Sequence, residues 1–175
     1  MGARRQGSWR GLALLALAPL VLVVDCGEPE PAGVGGSPDV TSEARATVVD
    51  VVDGDTIEVR LSDGDLEDVR YIGIDTPESV DPEEPVQCFG HRASAANEAL
   101  VLGREVTLRF GPERRDAYGR LLAYVYAGGR LVNAELVRRG LARTLTIAPN
   151  DALAPIFSRL AVVAGRAGRG LWGAC

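Results

Sequence analysis

The chain has no lysine; all 19 of its basic residues are arginine, which reads as a genome-composition effect rather than a functional one. It has one histidine, His91, inside a helix-like segment, read as an exposed or capping residue, so no histidine-based mechanism is invoked. A surplus of positive charge is missing too. The formal net charge is −5, and from Ala44 onward 16 arginines face 19 acids, a net of −3. The basic footprint of a sequence-reading DNA-binding protein is therefore absent. Any polyanion must be held by a local patch and a bound cation. The longest apolar run, Leu12 to Val24, is thirteen residues with Pro19 inside it, too short to span a bilayer as a helix. No internal repeat is present.

What precedes that run is positive: Arg4, Arg5 and Arg10. A positive start before a short apolar core predicts a secretory signal over residues 1–26, with a short membrane anchor as the alternative. Residues 27–43 read as a Pro/Gly-rich tether without packing residues, and residues 44–175 as one folded domain. Leu22-Val23-Val24-Asp25-Cys26 resembles a bacterial lipoprotein signal, in which the cysteine is acylated. Asp25 departs from the small residue usual before that cysteine. The protein is thus expected to be exported from a bacterial cell, either free or membrane-anchored through a lipid on Cys26. Two further cysteines, Cys88 and Cys175, are expected to form a disulfide in an exported protein, with two free thiols as the alternative.

Two short stretches carry most of the functional information: Asp53-Gly54-Asp55-Thr56, and Arg70 through Asp75-Thr76-Pro77-Glu78. Between them, Ser62-Asp63-Gly64-Asp65 is a hairpin turn signal. A hairpin centred on Asp63-Gly64 sets position 55 opposite position 72. Asp55 and Asp75 then share one open end, a site for a hard divalent cation such as calcium. Arg70 and Glu78 are close enough to join it. Acid, base and metal ligands together indicate chemistry on a phosphate.

Strands are predicted over 46–53, 56–61, 66–74, 106–110 and 121–126. The change of alternation between Val69-Tyr71 and Ile72-Ile74 predicts a bulge or a strand buried on both faces. Helices are predicted over 91–102, with Ala93, Ala96 and Leu100 inward, over 133–139 with Asn133 as cap, and over about 155–167, with Ile156, Leu160 and Val163 inward. Tyr124 and Tyr126 read as core or barrel surface, Trp172 as packing for the C-terminus, and Asp116 with Arg120 as a structural ion pair. Strands without βαβ alternation give an α+β class dominated by β: a five-stranded OB-type barrel with three helices, a fold that commonly binds oligonucleotides or oligosaccharides.

At these motifs the chain resembles the staphylococcal nuclease (thermonuclease) family from about Ala44 to Trp172. The blocks are Val52-Asp53-Gly54-Asp55-Thr56, Val69-Arg70 through Glu78, Asp116-Ala117-Tyr118-Gly119-Arg120-Leu121, Leu131-Val132-Asn133, and Leu136 through Ala142. The resemblance implies a calcium-dependent nuclease that cleaves DNA and RNA with little sequence specificity and leaves 3′-phosphates. It implies that Asp55 and Asp75 hold Ca2+ through carboxylates and Thr76 through its backbone carbonyl. It assigns Arg70 and Arg120 to the reacting phosphate, Glu78 to the general base, and Tyr118 to the nucleotide's phosphate or sugar. A monomer is expected.

Two departures bear on substrate binding. Where the family's best-known form has a lysine before the tyrosine, this chain has Ala117. Where the family often has paired tyrosines flanking the nucleotide, it has Arg143-Thr144-Leu145-Thr146-Ile147-Ala148. Weaker nucleotide binding or altered base preference follows, and Arg114, Arg115 and Arg143 are candidates to compensate. The alternative readings are a non-catalytic OB module that binds nucleic acid or another polyanion, and a calcium-stabilised structural domain.

Overall fold

A computed structural model describes residues 42–79 and 87–175. The expected signal segment, Cys26 and nearly all of the tether lie outside the described residues. Strand β1 (Ser42–Val51) begins slightly ahead of the expected start at Ala44. β2 (Thr56–Leu61), β3 (Leu66–Tyr71) and the two-residue β4 (Ile74–Asp75) follow. Then come helix α1 (Gly90–Val101), β5 (Glu105–Arg115), β6 (Leu121–Ala127), β7 (Arg130–Leu131) and α2 (Val132–Arg138). The last elements are β8 (Arg143–Thr144), α3 (Ala154–Arg166) and a one-turn α4 (Leu171–Ala174).

The strands run β3-β2-β1-β5-β6, and a parallel β3–β6 pairing closes the circle. This is the expected five-stranded barrel, with β7 added at the edge of β6. The long β1 makes closure possible. Its first half pairs with β5 and its second half with β2, with an irregularity between Val48 and Asp50 where the strand turns the corner. Inward residues alternate along it and its partners: Ala46, Val48, Ile57, Val59, Val69, Tyr71, Val106 and Leu108 are all buried.

The hairpin register differs from expectation by one residue. Arg60 pairs with Leu66 and Thr56 with Arg70, and the Tyr71 amide donates to the Asp55 carbonyl at 2.9 Å. Residue 55 therefore faces 71, not 72. The loop holds three residues: Leu61 N–H donates to Asp65 O, Gly64 N–H donates to Leu61 O, and Gly64 has φ +99°. A three-residue loop with its last residue left-handed shifts the register that a two-residue turn would give.

The change of alternation after Tyr71 is a turn at Ile72-Gly73 rather than a continuous strand. Gly73 has φ +82°, and a Cβ there would lie 2.4 Å from the Phe157 ring. Phe157 is fully buried, which fixes the face that α3 turns inward. α3 buries Phe157 and Ala164, while Ile156 and Val163 are exposed, contrary to the predicted stripe; of that stripe only Leu160 packs against the core.

α1 follows its predicted stripe more closely, adding buried Asn97 and Val101 to Ala93. Asn133 does not cap α2. Leu131 takes that position, and the buried Asn133 amide instead accepts from Val125 N–H at 2.9 Å and donates to Ile72 O at 2.9 Å. It thereby joins β6 to the turn after β3. Tyr124 is core, whereas Tyr126 lies under the Arg109 guanidinium. At the C-terminus Leu171 is the buried residue, and Trp172 is partly exposed beneath Arg143.

Candidate active site

The first site motif occupies the β1–β2 turn. Gly54 is buried, and a Cβ there would lie 2.6 Å from Thr76 Oγ1 and 2.8 Å from Ala93 Cβ. Glycine at this position lets the second motif and helix α1 close on the turn together. Asp53 Oδ1 accepts the Asp55 amide at 2.8 Å, an Asx-type turn. From below, Tyr71 Oη donates to Asn97 Oδ1 at 2.9 Å, and Asn97 Nδ2 donates to the Asp53 carbonyl at 3.0 Å. Burial raises the Tyr71 phenol far above its ordinary range, so this bridge stays neutral. The turn is thus held from the barrel interior and from α1 at once.

The Asp55 carboxylate is completely buried. Its Oδ2 accepts the Thr76 amide at 2.7 Å, and its Oδ1 pairs with Arg70 Nη1. Arg70 reaches through Nη2 to Asp75 Oδ1 at 2.8 Å. One guanidinium therefore spans both acids, as its forked geometry permits. Asp75 is about half exposed, and Arg70 largely buried. Burial pushes the neighbouring Asp53 carboxyl above its usual range, although Arg70 and Thr56 pull it down.

Across the cleft lies the β5–β6 loop. Asp116 Oδ1 accepts the amides of Tyr118 and Arg120, and its Oδ2 accepts Arg120 Nε at 2.7 Å. Partial burial pushes the Asp116 carboxyl up, but these bonds more than reverse it and hold it below the usual carboxylate range. Asp116 is the structural partner expected of it. Its role is to aim Arg120, whose guanidinium also lies 5.5 Å from the centre of the Tyr118 ring. Tyr118 itself is 86% exposed. Among the compensating arginines, Arg115 is committed to Glu67 at 2.7 Å and Arg114 is stacked on Phe110, whereas Arg143 lies over Trp172.

All seven sequence-nominated residues line one cleft of about 520 Å³: Asp55, Arg70, Asp75, Thr76, Glu78, Tyr118 and Arg120. The cleft also includes Asp53 and Asn150, which sequence reasoning did not assign to it, and Leu145 and Ile147, from the stretch that stands where the family often has paired tyrosines. Asn150 is buried and holds the 145–150 segment to β5, accepting from Glu113 N–H at 3.0 Å and donating to Glu113 O at 2.8 Å. Its only sequence signal was a polar residue after a proline, which reads as an ordinary turn.

The donors suit a hard cation in type: two carboxylates and a carbonyl, all oxygen. Among the described residues, however, no group of three or more His, Cys, Asp or Glu side chains is gathered as a metal set. Any ion held here therefore needs main-chain, solvent or phosphate oxygens to complete its shell.

The expected Cys88–Cys175 disulfide is formed, linking residues 87 positions apart.

Comparison with known proteins shows which family the chain is similar to. The profile of the "Staphylococcal nuclease homologue" family matches residues 68–174. The chain is 40% identical over 141 residues to the thermonuclease of Staphylococcus intermedius, covering 81% of this chain and 83% of that protein. It is 37% identical over 144 residues to the thermonuclease of Staphylococcus hyicus, covering 80% and 82%. It is 42% identical over 113 residues to endonuclease YncB of Bacillus subtilis, covering 64% and 53%. On these matches and this fold, the chain belongs to the staphylococcal nuclease family, whose members hydrolyse phosphodiester bonds.

Proposed function

We propose that the enzyme is an exported, calcium-dependent nuclease that acts on DNA and RNA with little sequence preference. One observation carries this reading: buried Asp55 and half-exposed Asp75 are linked through Arg70 at the wall of a cleft that also holds Glu78, Arg120 and Tyr118. A module that only bound polyanions has no need of an acid pair linked by one arginine and faced by a second.

Asp55 and Asp75, with the Thr76 carbonyl, would hold the calcium ion, which when bound supplies positive charge against the reacting phosphate. Arg70 and Arg120 grip the non-bridging oxygens, and their charge counters the extra negative charge of five-coordinate phosphorus. Arg70 meets both acids in the present arrangement, so engaging a phosphate requires it to share or exchange those partners. Glu78 accepts a proton from the attacking water. The new P–O bond forms as the P–O5′ bond breaks, leaving a 3′-phosphate and a 5′-hydroxyl that takes up a proton. Tyr118 touches the nucleotide from the exposed rim.

Leu145 and Ile147 supply an aliphatic wall in the cleft. They contact a base or sugar without the stacking surface an aromatic pair would give. Export is supported by the arginine-led apolar start and by the disulfide, which suits an oxidising compartment. The reading includes a signal segment, a tether that can be anchored through Cys26, and a single catalytic domain.

The test is hydrolysis of single-stranded DNA and of RNA with calcium and then with chelator, alongside calorimetric titration of calcium. Calcium-dependent cleavage, lost in Arg70→Ala and reduced by orders of magnitude in Glu78→Gln with calcium affinity kept, is the expected result. Calcium binding without turnover on either substrate overturns it in favour of a binding module.

A further inference from the structure

Glu78, the proposed base, is held through its backbone by Gln87. Glu78 N–H donates to Gln87 Oε1 at 3.3 Å, and Gln87 N–H donates back to the Glu78 carbonyl at 2.9 Å. Gln87 O in turn accepts from Gly90 N–H at 2.9 Å, in the first turn of α1. Gly90 approaches so closely that a Cβ there would lie 2.4 Å from the Glu78 carbonyl oxygen. Gln87 thus grips the Glu78 backbone at both its N–H and its C=O.

Gln87 is exposed and has little packing of its own. Its neighbour Cys88 is bonded to Cys175. Cys175 N–H donates to Leu171 O at 3.2 Å. Leu171 is buried and its N–H donates to Gly140 O at 2.9 Å, just after α2. A continuous path therefore runs from the α2 terminus through α4 and the disulfide to Gln87 and Glu78. A disulfide that only shortened the unfolded chain could join many surface points. This one is anchored beside the residue that grips Glu78.

We propose that Gln87, braced by the Cys88–Cys175 disulfide, is a positioning residue for Glu78. The inference rests on the reading of Glu78 as the general base. Misplacing a reacting group by about 1 Å can cost on the order of a hundredfold in rate. Loss of the side-chain contact is accordingly expected to act on turnover and not on substrate or cation binding.

The experiment measures kcat, KM, calcium affinity and urea stability for the full chain and four changes: Gln87→Met, Gln87→Glu, the Cys88→Ser/Cys175→Ser pair, and Glu78→Gln. Gln87→Met, which keeps the disulfide, should lower kcat roughly ten- to hundredfold with KM and calcium affinity within about twofold. Gln87→Glu, which retains an acceptor oxygen, should recover most of that loss. The serine pair should lower kcat in the same direction. On a Glu78→Gln background neither change should lower kcat further, because the group being positioned is gone. An unchanged kcat in Gln87→Met overturns the proposal, as does an equal loss on both backgrounds, which is the mark of a general effect on folding. Should the serine pair not fold, Gln87→Met decides alone. If Glu78→Gln itself leaves kcat unchanged, the reading of Glu78 as base fails, and that outcome is separate from a failure of the clamp alone.

Discussion

Thr76 donates its backbone N–H to the Oδ2 of Asp55 at 2.7 Å, across 21 residues of sequence. This bond joins the two site motifs, and it forms only because Gly54 leaves room for Thr76 against the β1–β2 turn. Gly54→Ala should therefore weaken the fold and the site together. A methyl group 2.8 Å from Ala93 Cβ and 2.6 Å from Thr76 Oγ1 is overpacking, expected to cost about 1–3 kcal/mol. Urea unfolding should show that loss, and DNA hydrolysis at a temperature where the variant stays folded should fall as well. Full activity in a folded Gly54→Ala variant would mean the two motifs need not be in contact.

Asn133→Ala tests the bridge between β6 and the turn after β3. The substitution strips a buried partner from Val125 N–H and from Ile72 O, and each group left unsatisfied costs about 1–3 kcal/mol. The expected loss of stability is about 3 kcal/mol, read by chemical denaturation. A cap role, by contrast, predicts about 1 kcal/mol.

How far these contacts could be read from the chain depends on their kind. Asp55, Arg70, Asp75 and Glu78 stand out because chemistry restricts the residue types, and they lie close to one hairpin. The barrel was legible because alternation along β1, β2 and β5 records which face is buried. Asn133 was misread because Asn before a helical segment satisfies the pattern of an N-cap equally well, and only the barrel seam shows which groups need it. The inward face of α3 was misread because Ile156 and Val163 are as apolar as Phe157 and Ala164. The cup left by Gly73 selects Phe157, and no local period contains that information. The hairpin register turned on whether Gly64 closes a two- or three-residue loop, a choice of backbone conformation rather than of composition.

Acid stability should carry the imprint of Glu135. Hydrogen bonds from Arg138, opposed by partial burial and reinforced by Arg139, hold its carboxyl down from the ordinary 4.5 to about 2. A depressed carboxyl contributes stability that is fully present above its unfolded value and fades as pH falls through its folded one. Glu135→Gln should be less stable than the parent at pH 7, and the gap should close between about pH 4.5 and pH 2. Urea midpoints measured across that range check it. A gap that persists unchanged at pH 2 would assign the effect to packing of the Glu135 side chain rather than to its charge.

The aliphatic wall offers the sharpest view of substrate binding. Leu145 and Ile147 line the cleft; Leu145 N–H donates to Gly73 O at 3.1 Å beside the strand that carries Asp75, whereas Ile147 lies two residues further on, and both side chains are exposed, Ile147 the more so at 59%. Exposed aliphatic side chains lose little when replaced, so Ile147→Tyr should fold normally. Stacking on an aromatic side chain is worth about 1–3 kcal/mol per base. A ring at position 147 should therefore lower KM for a short oligonucleotide roughly fivefold or more, while kcat changes little because the acids and arginines are untouched. The effect should vanish on a substrate whose base beside the cleavage point is replaced by an abasic sugar. A lowered KM that persists on the abasic substrate would show that the ring meets the backbone instead. An unchanged KM on both would mean that the bases do not approach this wall, and that Tyr118 and the arginines alone hold the substrate.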